Sequence, residues 1–155
     1  MASPKRPAKR RKPTRETPKP KAVKPKPPSE RVADSDVRLE RVKGTPGKGG
    51  GVGGEAWDII AGNEKVGDIY INQIDEAPVG KHASIQIYLN RTAQGRGIGR
   101  VAYRLASEES SNDVIYAHMR KINVASRRAA EEAGYVDAAL PGTAQLIMKW
   151  TRKRG

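Results

Sequence analysis

Apolar and polar positions recur along this chain with two different periods. Val37 to Val42 (Val-Arg-Leu-Glu-Arg-Val) alternates residue by residue and predicts a first strand. Ala56 to Ala61 and Lys65 to Ile71 predict two more strands, joined at Gly62-Asn63-Glu64 in a hairpin. Asn72 to Gly80 is polar and predicts a loop. In Ala83 to Leu89, Ile85, Ile87 and Leu89 alternate with Gln86 and Tyr88, which predicts a central strand. The period then changes. Ile98, Val101, Ala102 and Leu105 fall at i, i+3, i+4 and i+7, the apolar stripe of a helix that closes over Ser107 to Asp113. Val114 to Met119 is a strand. A second helix follows, capped by Asn123, held by Arg127–Glu131 and Arg128–Glu132 pairs and stopped at Gly134. Tyr135 to Ala138 and Ala144 to Trp150 are two last strands around Leu140-Pro141-Gly142. The order ββββαβαββ predicts an α/β (α+β) domain with a mixed sheet. Its strand–helix–strand crossover makes the central pair parallel.

The run Gln94-Gly95-Arg96-Gly97-Ile98-Gly99 joins the central strand to the first helix. Its glycines permit a tight turn and leave amides uncovered. Amides at a helix N-terminus, backed by the positive end of the helix dipole, suit phosphate. An anionic ligand is therefore expected at Gly95 to Arg100. A dinucleotide fingerprint is excluded, because Gly97 lies too far beyond Leu89 and the strand Val114 to Met119 ends without an acid. A P-loop is excluded because Lys48 is followed by Gly49.

Composition changes the picture mainly at the N-terminus. Of 155 residues carrying a net charge of +13, residues 1–31 hold 12 of the 30 Lys and Arg against only Glu16 and Glu30. The first 30 residues also carry eight of the eleven prolines. Such a segment buries too little to offset its ordering entropy, so 1–31 is expected to be a disordered basic tail and 32–155 the folded domain. The tail reads either as a solvated appendage or as a weak, sequence-independent binder of RNA, DNA or a ribosome surface, with a nuclear or nucleoid association as one consequence. There is no Cys, which removes thiolate catalysis and Cys-based zinc sites and suits a reducing compartment; a cytoplasmic protein without a metal is expected. No run is apolar enough for a membrane span or signal peptide. Lys43 to Glu55 holds seven glycines, a composition that will not sustain a helix.

Gln94-x-x-Gly97-x-Gly99, followed after one strand by Asn123-x-x-Ser126 in a helix ending Gly134-Tyr135, resembles the acetyl-CoA loop and second helix of the GNAT acyltransferase superfamily. The resemblance is close over Ile85 to Tyr135 and nearest to the branch that acetylates protein N-termini. It implies a GNAT-like sheet, acetyl-CoA as cosubstrate, and direct attack by an amine on the thioester. The family's strand bulge implies that the backbone amide of Leu89 serves as oxyanion donor. Gln94, Gly95, Arg96, Gly97, Ile98, Gly99, Arg100, Asn123 and Ser126 are implied as further cofactor contacts. Arg96 and Arg100 either pair with phosphates or are solvated. Ser126 stands where the N-terminal-acetylating branch carries a Ser that assists the leaving thiolate; alternatively it only bonds back to its helix. Many relatives carry a Tyr at the position of Ala130 and a Glu base at the position of Ser84. His82, Asp75 and Glu76 lie nearby but read as solvated loop or strand-start residues, so the base is left unassigned. Relatives also place helices where Lys43 to Glu55 stands, so either a mobile loop or a plain linker is expected, with an open acceptor side. The leading expectation is an N-acetyltransferase acting on an amine of a protein, peptide or small molecule. The alternatives are a GNAT-fold binding module without turnover and a nucleic-acid-associated structural protein.

Overall fold

Both periods are realised. The computed structural model describes residues 30–153. In chain order the strands are β1 (Val37–Arg41), β2 (Glu55–Ala61), β3 (Glu64–Glu76) and β4 (Gly80–Leu89), then helix α1 (Ile98–Glu109), β5 (Val114–Met119), helix α2 (Val124–Glu132), β6 (Val136–Asp137) and β7 (Leu146–Thr151). The strands form one sheet in the order β1-β2-β3-β4-β5-β7-β6. Every neighbouring pair is antiparallel except β4 and β5. The mixed sheet with a central parallel pair and two helices is thus as expected. The last hairpin differs in layout, since β7 lies between β5 and β6 and leaves β6 as a two-residue edge.

The alternation sends Ile69, Ile71, Ile85, Ile115, Ala117 and Met148 to one face of the sheet, where α1 packs with Val101, Ala102 and Ala106. With no Phe in the chain, branched aliphatics carry this core, and Trp57 supplies its largest side chain at 1 % exposure. Tyr103 and Ser107 form a second stripe on α1 turned toward Tyr135. The Ser107 and Tyr135 hydroxyls are 2.7 Å apart, and the Tyr103 and Tyr135 rings meet edge to face at 5.7 Å.

Three local expectations are corrected. Asn72 to Glu76 belongs to β3 rather than to a polar loop, and pairs with β4 without a break as far as Glu76↔Gly80. This stretch is largely unburied, so its polarity reports exposure and not a strand end. Helix α1 stops at Glu109 instead of continuing toward Asp113, because Ser110 adopts an extended backbone. Its orphaned end is satisfied by Arg152, which donates to the carbonyls of Glu108 at 3.1 Å and Asn112 at 3.2 Å and pairs with Asp113 at 3.0 Å. The glycine-rich connection between β1 and β2 contains no helix and, in place of a free loop, is tied to β3. Gly49 N donates to Asn72 Oδ1 and Asn72 Nδ2 donates to Gly47 O, both at 2.8 Å. A Cβ on Gly49 would sit 2.2 Å from the Glu55 carbonyl oxygen, so the glycine is needed for backbone to pass backbone.

Glu55 ties the two halves of the sheet together. It is 5 % exposed, and its carboxylate accepts from Ser110 Oγ, Asn112 Nδ2 (2.9 Å), Ser111 N (3.1 Å) and Arg41 (3.4 Å). One side chain on β2 thereby fixes the turn between α1 and β5. Glu55→Ala leaves several donors without an acceptor, and is expected to cost roughly 3 kcal/mol. Chemical denaturation should show a lower midpoint at an unchanged slope.

Candidate active site

The site begins where β5 leaves β4. The two strands are paired only at Ser84↔Tyr116 and Ile85↔Ala117, although β4 runs on to Leu89. Asn90 N donates to Val66 O on the β3 side. Strand alternation therefore turns the amides of Ile87 and Leu89 the other way, toward the gap. The expected bulge in β4 is not there: its register against β3 is continuous, and the irregularity lies between β2 and β3 at Ile59/Ile60. The Leu89 amide is freed by divergence of the strands instead, and Ile87 is freed before it. Sequence reading missed Ile87 because pairing partners across a parallel gap leave no local signal.

The gap opens into a cleft of about 560 Å³ on the helix side, lined by β4, the glycine run and one face of each helix. Gln94, Gly95, Gly97, Ile98, Gly99, Arg100, Asn123 and Ser126 all line it, as does Leu89. Gln94 Nε2 donates to Leu89 O at 3.2 Å, which ties the run to the strand end. Gly97 is the N-cap of α1 at φ 79° and offers no side-chain cap, so the first-turn amides of the helix remain available. Any other residue there would strain the backbone by about 1–2 kcal/mol. Gly99 matters for packing instead. A Cβ on it would meet Ala129, Leu89 and Ile87 at 3.6–3.9 Å, so it sets how closely α1 approaches β4 and α2.

The two arginines are both engaged. Arg96 is not among the residues that line the cleft, and its Nε donates to Glu30 O at 3.0 Å. Arg100 lines the cleft, pairs with Asp34 and lies 3.4 Å from Glu132. The Arg100 hydrogen bond holds the Asp34 carboxyl below its usual range. Glu132 is therefore drawn toward α1 instead of forming the expected pair with Arg128, while Arg127–Glu131 forms at 2.9 Å. Residues Glu30 to Asp36 lie across the glycine run, with Val32 N donating to Arg96 O at 2.9 Å and Arg31 beside Gly97.

On the α2 side, Asn123 Oδ1 accepts from Ser126 N at 3.2 Å, the expected cap, while both residues face the cleft. Ala130 is fully buried in the core and offers no hydroxyl. A phenol comes from the other helix: Tyr103 lines the cleft together with Ser126. Burial raises its pKa to about 12, partly opposed by the Ser126 side chain, so it is protonated at neutral pH. It lies outside the Ile98–Val101–Ala102–Leu105 stripe and outside both motifs, and only the tertiary approach of α2 brings it into the site. Ser84, at the position where relatives carry a Glu base, is buried; of the residues nearby, His82 is buried and bonded to His118 instead of solvated, whereas Asp75 and Glu76 lie at the exposed end of β3 as expected. The described residues contain no cluster of metal-ligating side chains.

The uncapped helix end, the glycine run and the unpaired strand amides together fit a long ligand with a phosphate at one end and a carbonyl at the other, as in acetyl-CoA. In the structure of the microcin C7 self-immunity acetyltransferase MccE with acetyl-CoA and AMP, the similar region is 20 % identical at a TM-score of 0.52, covering 64 % of this chain and 62 % of that one. For yncA of Salmonella typhimurium with acetyl-CoA the values are 17 %, 0.53, 67 % and 68 %. For the Salmonella typhimurium acetyltransferase that modifies the N-terminal serine of ribosomal protein L7/L12 they are 19 %, 0.51, 64 % and 64 %. The chain thus spans less than two thirds of the first and third of these proteins, and at such identities the likeness is one of fold. Compared by sequence with curated proteins, the chain has no match. The acetyltransferase (GNAT) domain family, in contrast, matches residues 14–136. Since that span covers most of the chain and takes in both motifs that line the cleft, the chain belongs to the GNAT acetyltransferase domain family.

Proposed function

We propose that the protein moves an acetyl group from acetyl-CoA to a primary amine on a protein or peptide, by direct attack. One observation carries the reading: an uncapped helix N-terminus and two unpaired strand amides open into the same cleft. The helix end and glycine run would hold the phosphates. The Ile87 and Leu89 amides would pair with the acyl-bearing arm and the thioester oxygen, fixed donors in a partly dry groove. The Ser126–Tyr103 couple would supply a proton to the departing sulfur. A chain terminus as acceptor is supported by the β1–β2 connection, which contains no helix to wall the acceptor side. The L7/L12-modifying structure offers a parallel in kind. A binding module without turnover is the competing reading, and amine-dependent release of free thiol from acetyl-CoA separates the two.

The basic segment 1–31 lies outside the described residues apart from Glu30 and Arg31. We propose that it binds polyanions weakly and contributes nothing to acetyl-CoA binding. Its removal takes the net charge from +13 to +3. Deleting it is expected to abolish most RNA binding while leaving acetyl-CoA affinity intact. If it makes about six phosphate contacts, the slope of log affinity against log salt should be roughly −4 on single strands. Equal RNA binding by full-length and truncated protein would reject this role.

Gly97→Glu places a bulky anion at the helix end, at a position of positive φ. Calorimetry should find acetyl-CoA binding lost in a protein that still unfolds cooperatively. Unchanged affinity would reject the site.

Ser126→Ala and Tyr103→Phe are each expected to slow single-turnover transfer roughly tenfold. This is the low end for general-acid help, because a thiolate with a pKa near ~8.5 already leaves well. If the two hydroxyls lining the cleft act as one couple, the double variant should be little slower than either single. Multiplicative losses, or none, would mean that they do not work as a couple.

A further inference from the structure

Through the sheet from the cleft, two imidazoles meet at the point where β4 and β5 part. Ile85, Ile115 and Ala117 face the helices, so alternation sends His82 and Ser84 of β4 and Tyr116 and His118 of β5 to the opposite face. His118 is the first residue of β5 after the last paired position, Ala117. It lies at the start of the stretch where β5 leaves β4 at Gln86 and Ile87. No helix covers this face between β1 and β2. The glycine connection there is pinned to Asn72, the register partner of Ser84.

The hydrogen bonds fix the protons. His82 Nδ1 lies 2.7 Å from Gly80 O, and a carbonyl only accepts, so Nδ1 carries the hydrogen. His82 Nε2 and His118 Nε2 are 2.8 Å apart. In a neutral His82 this nitrogen is an acceptor, so His118 donates through Nε2 and keeps its lone pair on Nδ1. The groups around the pair are Tyr116, whose ring meets His82 edge-on at 5.1 Å, Lys149 of β7 over that ring at 5.8 Å, and Glu76 at the end of β3. Burial and then the neighbouring His82 lower the pKa of His118, while Glu76 acts in the opposite direction. The ring is thus neutral at pH 7, in the form that accepts a proton.

We propose that His118 is the general base for the acceptor amine and that His82 is a positioning residue that sets its tautomer. The proposal rests on the acetyl-transfer reading. An amine arriving as ammonium must shed two protons in the course of transfer. The first passes to His118 Nδ1 and from there to water. The freed nitrogen lone pair forms the C–N bond as the C–S bond breaks. The sulfur departs with that electron pair and takes up the equivalent of the second proton, so one proton is released overall. Cosubstrate and acceptor then approach from opposite faces, through the gap that the strands leave open.

The test is the pH dependence of kcat/KM for acetyl-CoA and a peptide with a free α-amine, using the full-length protein and its His118→Gln, His118→Asn and His82→Phe variants. In the wild type the rising limb should inflect below 6.5, the ordinary value from which His118 is lowered. The His118 variants should lose roughly tenfold at pH 7, where only about a tenth of an amine with a pKa near ~8 is neutral. Their rates should instead follow the amine's own ionisation near ~8 and approach the wild type above pH ~9, where the amine arrives neutral. His82→Phe should shift the wild-type limb, because the hydrogen-bond partner of the His118 ring is gone. Acetyl-CoA affinity should be unchanged throughout, which reports intact folding. His118 variants with the wild-type profile, or with a loss equal at every pH, would overturn the base while leaving acetyl transfer standing. An unmoved limb in His82→Phe would overturn its positioning role. Wild-type protein that transfers to no amine at any pH would defeat the transfer reading and the base with it.

Discussion

Everything distinctive about this molecule follows from two parallel strands that stay paired for only two positions. A sheet normally satisfies its own amides, and a strand with one bare edge in its interior would be a fault. Here the bare edge is bounded by α1 and α2, which hold the strands in place on one side and turn the unpaired donors into the floor of a cleft. The imidazole pair lies on the opposite face, beside the point at which the same two strands part.

Holding the strands apart requires anchoring away from the gap. Glu55 and Arg152 provide it from opposite ends of the same turn, the carboxylate gathering amide and hydroxyl donors and the guanidinium gathering carbonyls. Between them nearly every polar group around the α1–β5 junction has a charged partner. The core contributes through size: with Trp57 as its largest member and small Ala102 and Ala106 on α1, the helix can lie close to the sheet.

Much of this was legible in the sequence, for identifiable reasons. Periodicity is a local property, so the strand at Ile85 to Leu89 and the stripe at Ile98 to Leu105 could be read directly. The glycine run and the Asn123 cap were legible because each carries its chemistry within a few residues. What was not legible depended on contacts between distant segments. Tyr103 lies beside the apolar stripe of α1 and in neither motif, and only the approach of α2 makes it part of the cleft. His118 looked like any strand residue until β4 brought His82 to it. Polar Asn72 to Glu76 read as loop because polarity reports exposure, and an exposed strand end is as polar as a loop. The strand bulge expected from the family resemblance was the opposite case: the exposed amide is there, but reached by divergence of β5.

The pairing of Arg100 with Asp34 has a consequence for any anion that comes to the end of α1. The guanidinium is not an empty socket, since it already has a counter-ion from the segment lying over the glycine run. An incoming group must therefore win an exchange, carboxylate out and ligand in, and a singly charged anion gains little by it. A phosphate of higher charge density gains more. Asp34 thus stands as an internal competitor for any anion that would pair with Arg100 at the end of α1.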